Sequence, residues 1–162
     1  MRSDHDPAAD FSRYQTYNFV LQPGKDKLGS RRLTRQFAIA IADEMQKRGY
    51  RREWYYPDLL VNFAARLESS EAAAGNVVTY EYYDYRYYGA WPGYAHAEEE
   101  IEMVEYPPGT VNVDLIDRSR MQLVWEGVAF GELPGGRERD RAAITQAIDE
   151  IFGQFPFRAG ER

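Results

Sequence analysis

The sequence contains no cysteine and only two histidines, His5 and His96, among its 162 residues. Without cysteine there is no disulfide, thiol nucleophile, zinc ribbon or iron–sulfur cluster. A Ser–His–Asp hydrolase needs a histidine held rigidly between two partners, whereas both histidines lie in polar or glycine-containing stretches. The motifs G-x-S-x-G, G-x-x-x-x-G-K-[ST], G-x-G-x-x-G and H-E-x-x-H are also missing. We therefore expect a non-enzymatic protein with no catalytic residue, no cofactor and no metal site.

Long apolar runs and an excess of basic charge are missing too. The longest strongly apolar run extends from Phe37 to Ala42, which is too short to span a bilayer. Residues 1–10 are charged and lack the apolar core of a signal peptide. The formal net charge of −6 argues against nucleic acid as a partner, because binding to phosphates requires a basic surface.

The composition is that of an ordinary globular domain, with 44% apolar and 28% charged residues, but it includes 13 tyrosines. The length matches one domain. We predict a single domain over residues 1–162, with its core at about 10–156 and tails at 1–9 and 157–162.

Hydrophobic periodicity predicts the element order β-α-β-β-β-β-β-α. Apolar residues alternate in the strand candidates and recur at helical spacing in the helix candidates. Helices are predicted over 31–48 and 137–152, and strands over 13–21, 58–67, 77–88, 98–106, 110–117 and 121–129. Short turns between strands favour an antiparallel sheet. The fold class is α+β, a two-layer domain with a mainly antiparallel sheet of about six strands and two helices on one face.

Two residues of the last predicted strand stand out. Trp125 is predicted to be a core anchor. Gly127 interrupts the strand, which indicates a bulge or the close approach of another backbone.

The most unusual feature is a tyrosine-rich segment, with eight aromatic residues between Tyr80 and Tyr94. On a strand these rings alternate, so both faces carry tyrosine and one set is expected to stay exposed. Exposed tyrosine is typical of contact surfaces for protein, glycan or peptide. The alternative is a strand partly covered by the loop from Trp91 to Tyr94. The candidate binding residues are Tyr83, Tyr85, Tyr87, Tyr88, Trp91 and Tyr94.

Two groups of acidic residues have a spacing that could support chemistry. Asp4, Asp6 and Asp10 near His5 are compatible with a divalent cation, but turn-forming aspartates explain them better. The second group lies on the predicted hairpin near residues 114–126. Paired carboxylates there are compatible with a carboxylate-dependent hydrolase, which is the alternative function. Its acids are Asp114, Asp117 and Glu126.

A set of short motifs runs in order along nearly the whole chain, from about Asp4 to Pro156. They are Asp4-x-Asp6-x-x-x-Asp10-Phe11-x-x-Tyr14-x-Thr16-Tyr17, Gly49-Tyr50, Asp58-Leu59-Leu60-Val61, Gly109-Thr110 with Asp114-Leu115-x-Asp117, Leu123-Val124-Trp125-x-Gly127, and Phe155-Pro156. In this combination the sequence resembles the bacterial putative lipoproteins grouped as domain of unknown function 4136.

The resemblance implies a cellular context and no chemistry. Members of that family usually carry an N-terminal lipoprotein signal whose modified cysteine anchors the domain in the bacterial envelope. The present sequence has neither, so we expect it to begin after the anchor, on the periplasmic side of the cell envelope, with a cytoplasmic member as the alternative. The implied function is binding or structural, with an envelope protein, a glycan or an amphiphile as partner and membrane contact only through the anchor.

Overall fold

The computed structural model describes residues 2–20, 31–68, 77–79, 89, 91, 110–129 and 140–161. The described strands are β1 (Arg2–His5), β2 (Thr16–Phe19), β3 (Arg51–Arg52), β4 (Leu59–Glu68), β5 (Val77–Thr79), β6 (Thr110–Asp117) and β7 (Gln122–Ala129). The helices are α1 (Arg31–Lys47) and α2 (Asp140–Phe152), and a 3-10 turn occupies Phe11–Arg13.

The strands form one mixed sheet in the order β1-β7-β6-β4-β2-β3, with β5 paired to β4 outside that path. Strand β2 runs parallel to both β3 and β4. The pairs β4–β6, β6–β7, β4–β5 and β1–β7 are antiparallel. The α+β architecture with a mainly antiparallel sheet and two helices is therefore confirmed.

Both helices pack on one face of the sheet through single apolar stripes. In α1 the stripe is Phe37, Ile41 and Met45, all fully buried, at the i, i+4 spacing that keeps side chains on one face. The helix ends at Lys47, and the turn after it contains Gly49, whose φ of +86° is readily available only to glycine. The next amide, from Tyr50, donates to the carbonyl of Met45 at 3.0 Å and closes the last turn.

Trp125 lies at the centre of the layer between the helices and the sheet. It is 1% exposed, which confirms the prediction that it is a core residue. Its ring lies against Phe152 and Phe155, with centroid distances of 5.7 and 4.9 Å. Gly127 faces the same layer, where an added Cβ would lie within 3 Å of Trp125 and Ile151. The glycine thus makes room for side chains. The register shift of the β6–β7 pair lies nearby, where Leu115 pairs with Trp125 and Ile116 with Leu123, so the extra residue on β7 is Val124 and not Gly127.

The opposite face of the sheet is also buried, and it carries polar residues. Asn62, Asp114, Glu126 and Asp4 occupy matching register positions across β4, β6, β7 and β1. The first three are at most 2% exposed, and the Asn112 amide donates to Asp114 Oδ1 at 2.8 Å. Side chains of this kind need polar partners when they leave water.

The predicted tails are wrong, because both termini are built into the fold. Residues 2–5 form the edge strand β1 against β7. At the other end Phe157 stacks on Phe11 with a centroid distance of 3.7 Å, and Gly160 donates to the Tyr14 carbonyl at 3.1 Å. These are tertiary contacts, which charge and hydropathy along the chain do not reveal. Neither described helix combines the length and apolarity needed to cross a membrane.

Candidate functional site

Most of the candidate binding residues lie outside the described part of the chain. These are Tyr83, Tyr85, Tyr87, Tyr88 and Tyr94. The remaining candidate, Trp91, is only 4% exposed and packs against Ile116 and Leu123. The expectation that Trp91 offers an exposed ring is therefore wrong, because its indole fills the space beside two apolar side chains of the sheet.

Of the three N-terminal aspartates, Asp6 and Asp10 form turns, as predicted, whereas Asp4 lies in strand β1. Asp6 accepts a hydrogen bond from the Ala8 amide at 2.8 Å, and Asp10 accepts one from the Ser12 amide at 3.1 Å. Each carboxylate thus satisfies a backbone donor two residues further along, which is ordinary Asx-turn chemistry.

The three acids of the alternative hydrolase do not form one group. Asp114 and Glu126 are direct cross-strand partners inside the buried polar face. Asp117 lies at the end of β6, in the turn that joins it to β7. There it accepts hydrogen bonds from Tyr14, Ser119 and Arg120.

These hydrogen bonds set the ionisation of Asp117. Burial opposes its charge, but donation from Ser119, Tyr14 and Arg120 outweighs burial and lowers the pKa of the carboxyl. In return, burial and the hydrogen bond to Asp117 raise the pKa of Tyr14 to about 12. Asp117 is consequently a stable anion that holds the turn, and a poor proton donor at neutral pH.

Residues 53–58, which connect β3 to β4, carry the most exposed aromatic side chains of the described chain. Trp54, Tyr55 and Tyr56 are 60%, 84% and 77% exposed. We call these three residues the aromatic loop. The sequence analysis predicts no helix or strand at residues 54–57 and names none of them as a candidate binding residue. The available signal was three consecutive aromatic residues between Glu53 and Pro57, a pattern with no core-facing periodicity.

Arginines of the neighbouring elements support the aromatic loop. The Arg52 guanidinium lies 4.4 Å from the centroid of Trp54, and that of Arg118 lies 5.4 Å from the centroid of Tyr56. Both are within the range of cation–π attraction. The Arg118 Nε also donates to the Pro57 carbonyl at 2.7 Å. These contacts restrain the loop and cover one face of Trp54 and of Tyr56, while most of the surface of the three rings stays in solvent.

Asp58 fixes the end of the same loop to β2. Its Oδ2 accepts from the amides of Gln15 and Thr16 at 2.9 and 3.1 Å, and the Asp58 amide donates to Thr16 Oγ1 at 2.9 Å. The aromatic loop is therefore attached to the rigid end of the sheet.

Two open clefts flank this attachment and share Arg13 and Asp58. One has a volume of about 500 Å³ and is lined by Arg51, Tyr55 and Tyr56 among others. The other, of about 370 Å³, lies towards Tyr14 and the turn after Asp117. Both fall in the size range of small-molecule sites, which is about 300–1,000 Å³. In the described chain no group of three or more potential ligands is arranged to hold a metal ion.

A pair of buried tyrosines tests the hydrogen-bond network behind these clefts. We expect Tyr14→Phe to lower the free energy of unfolding by about 1.5–3 kcal/mol, because Asp117 loses a donor in a buried site. The hydroxyl of Tyr50 is buried without a hydrogen-bond partner in the described structure. Tyr50→Phe should therefore leave stability unchanged or raise it by up to about 1 kcal/mol. Urea unfolding of both variants measures the difference, and equal losses would contradict it.

The sequence matches a protein family over nearly its whole length. A family model described as "Domain of unknown function (DUF4136)" matches residues 1–157. A search of the curated proteins returns no match.

Two solved structures resemble the chain at low sequence identity. A PDZ domain protein from Parabacteroides distasonis matches with a TM-score of 0.56 and 18% identity. The match covers 96% of the present chain and 35% of the length of the PDZ domain protein. The PelC dodecamer from Paraburkholderia phytofirmans has a TM-score of 0.51 and 15% identity, over 98% of this chain and 96% of the PelC chain. At these identities the likeness shows the fold alone.

Proposed function

The chain belongs to the DUF4136 family, and we propose that it is a non-enzymatic binding domain of the bacterial cell envelope that uses the aromatic loop as its contact surface. The envelope location rests on the resemblance to lipoproteins described above. One observation carries the binding function: Trp54, Tyr55 and Tyr56 are consecutive and mostly exposed, and Tyr55 and Tyr56 line the larger of the two clefts.

Exposure of three large rings side by side is costly in water, since burying such a ring contributes several kcal/mol in a core or interface. Tyrosine and tryptophan are enriched in protein contact surfaces, where they provide large contact area at a low cost in side-chain entropy. A binding partner that covers these rings recovers this free energy.

The attachment of the loop supports binding as well. Hydrogen bonds of Arg118 to Pro57 and of Asp58 to Gln15 hold the chain directly after the loop, which reduces the conformational entropy that the loop loses when a partner binds. Of the acids that line the clefts, Asp58 accepts two backbone amides, and Asp117 accepts hydrogen bonds from three residues and has a lowered pKa. These features favour a binding surface over a hydrolytic site.

Self-assembly is a second candidate, favoured by the likeness to a dodecamer over nearly the full length of both chains. Strands β1 and β3 end the described path of the sheet, and strand edges are common sites of association between copies. Light scattering across a dilution series tests it: a constant monomer mass would rule out this candidate.

Cosedimentation with envelope material tests the binding function. The purified chain is incubated with peptidoglycan sacculi, inner-membrane vesicles or outer-membrane vesicles from a Gram-negative host, and then pelleted. We expect one fraction to retain it, and the triple variant W54A/Y55A/Y56A to lose affinity about tenfold or more, as expected when central aromatic contacts are removed.

The matched control is Ile39→Ala, which removes another exposed apolar side chain, on α1. It should bind like the unaltered chain, and the triple variant should keep its melting temperature. Equal binding by the triple variant, or no retention by any fraction, would contradict the proposal.

A further inference from the structure

Two arginines beside the aromatic loop have unused hydrogen-bonding capacity. Arg13 and Arg51 are exposed, line the larger cleft, and form no side-chain hydrogen bond or ion pair with any described residue. Arg13 also lines the second cleft. Each guanidinium presents five N–H donors in a planar fork that matches the oxygens of a carboxylate or phosphate.

The carboxylates that line the larger cleft accept hydrogen bonds from backbone amides of the chain. Asp58 Oδ2 accepts two backbone amides, and Glu53 Oε1 accepts the amide of Tyr55 at 3.2 Å. These acids are therefore fixed towards the backbone while the arginines keep their donors available to solvent. The cleft thus has spare donors for an anion, although the formal charge of the whole chain is −6.

The rings beside the arginines define the rest of the ligand. Tyr55 and Tyr56 line the same cleft and expose most of their surface. The face of an aromatic ring is electron-rich and attracts the weakly positive C–H groups on the face of a sugar ring. A sugar that carries an anionic group can stack on tyrosine and reach the arginines together.

On these grounds we propose that the cleft between Arg13, Arg51, Tyr55 and Tyr56 binds an anionic sugar chain, one that carries carboxylate or phosphate groups. The inference rests on the proposed binding function and names its ligand class. An acidic peptide fits less well, because the adjoining edge strand β3 has only two residues to pair with a peptide backbone. The remaining lining residues are mostly polar and form no apolar pocket for a side chain in the described part of the cleft.

Tryptophan fluorescence gives a direct readout of binding. Trp54 is 60% exposed, whereas Trp91 and Trp125 are 4% and 1% exposed. A ligand at the aromatic loop should therefore change the emission of Trp54, and Trp54→Phe should remove the change. Calorimetric titration gives the affinity independently of this signal.

The probes are tetragalacturonate, which carries carboxylates, phosphorylated mannopentaose, which carries a phosphate, and neutral maltotetraose. We expect at least one anionic probe to bind about tenfold or more tightly than maltotetraose. Which of the two binds better identifies the anionic group. Pentaglutamate is the peptide probe and should bind no better than maltotetraose.

Two pairs of arginine variants distinguish a specific role of Arg13 and Arg51 from a general effect of net charge. R13Q/R51Q should lower the affinity for the preferred anionic probe about tenfold or more. R35Q/R141Q removes the same charge from exposed helix positions, and its affinity should stay within about twofold of that of the unaltered chain. Y55A/Y56A should also lower the affinity for this probe. All variants should keep the melting temperature, since none of these side chains packs in the core.

The inference is overturned if neutral and anionic sugars bind equally, if no sugar binds, if pentaglutamate binds as tightly, or if both arginine pairs have the same effect. Failure here is distinguishable from failure of the proposed function. Envelope fractions that still retain the chain through Trp54, Tyr55 and Tyr56 would leave the binding function standing with a different ligand.

Discussion

Replacing Trp125 by alanine is expected to lower the free energy of unfolding by about 3–5 kcal/mol, the usual cost of removing a large ring from a packed core. The ring contacts Phe152 of α2 and Phe155 just after it, and it is almost completely buried. Its loss leaves a cavity where the second helix meets the sheet. Chemical denaturation followed by far-ultraviolet circular dichroism measures the change.

Trp54→Ala is the matched control, because it removes the same side chain from a 60% exposed position. Its only described stabilising contact is the cation–π pair with Arg52, so we expect a loss of at most about 1 kcal/mol. Similar losses for both variants would show that the aromatic loop is part of the core. That result would also remove the basis of the proposed function.

Gly127→Ala is expected to lower the free energy of unfolding by about 1–3 kcal/mol through overpacking. A Cβ at this position would lie 2.5 Å from Trp125 Cη2 and 2.6 Å from Ile151 Cγ2. Neither neighbour can retreat easily, since one is a rigid ring and the other lies on the buried face of α2. The φ angle of Gly127 is not positive, so the cost is one of space and not of backbone strain.

Gly89→Ala serves as the control, because no atom of the described residues would lie within 4 Å of the added Cβ. The backbone hydrogen bonds of Gly89 to Met121 and Leu123 are unaffected by the substitution. We expect its stability to change by less than about 1 kcal/mol, in the stabilising direction.

A second check on the overpacking is the double variant of Gly127→Ala with Trp125→Ala. In the Trp125→Ala background, Gly127→Ala should lower the free energy of unfolding by less than it does alone, because one of the two clashing side chains is gone. Full additivity would mean that the clash with Trp125 is not the cause.

Much of the fold follows from the sequence because its signals are local. The helix at Arg31–Lys47 and the strands at Thr110–Asp117 and Gln122–Ala129 lie within a residue of their predicted bounds. Spacing and turn residues determine such elements within a few residues of chain. The two-residue strand β3 escaped prediction, because it is too short to show a period.

The candidate site was much less predictable. The tyrosine-rich segment carried the strongest sequence signal, and its described candidate, Trp91, is buried. The aromatic loop went unrecognised because exposure depends on what else packs nearby, which alternation alone does not encode. The sequence analysis groups Asp114 with Glu126 on the predicted hairpin, but only the tertiary structure shows that this pair is buried.

The amino-acid sequence by itself determined the fold class, the two helices, the strands β2, β4, β6 and β7, the family and the absence of cysteine chemistry, since each depends on composition or on short-range pattern. Tertiary structure alone decided that Arg13 and Arg51, far apart in the chain, line one cleft beside Tyr55 and Tyr56. The reason is the parallel pairing of β2 with β3, which places Thr16 opposite Arg51. A crossover of this kind is set by packing of the whole domain, and no local run of residues records it.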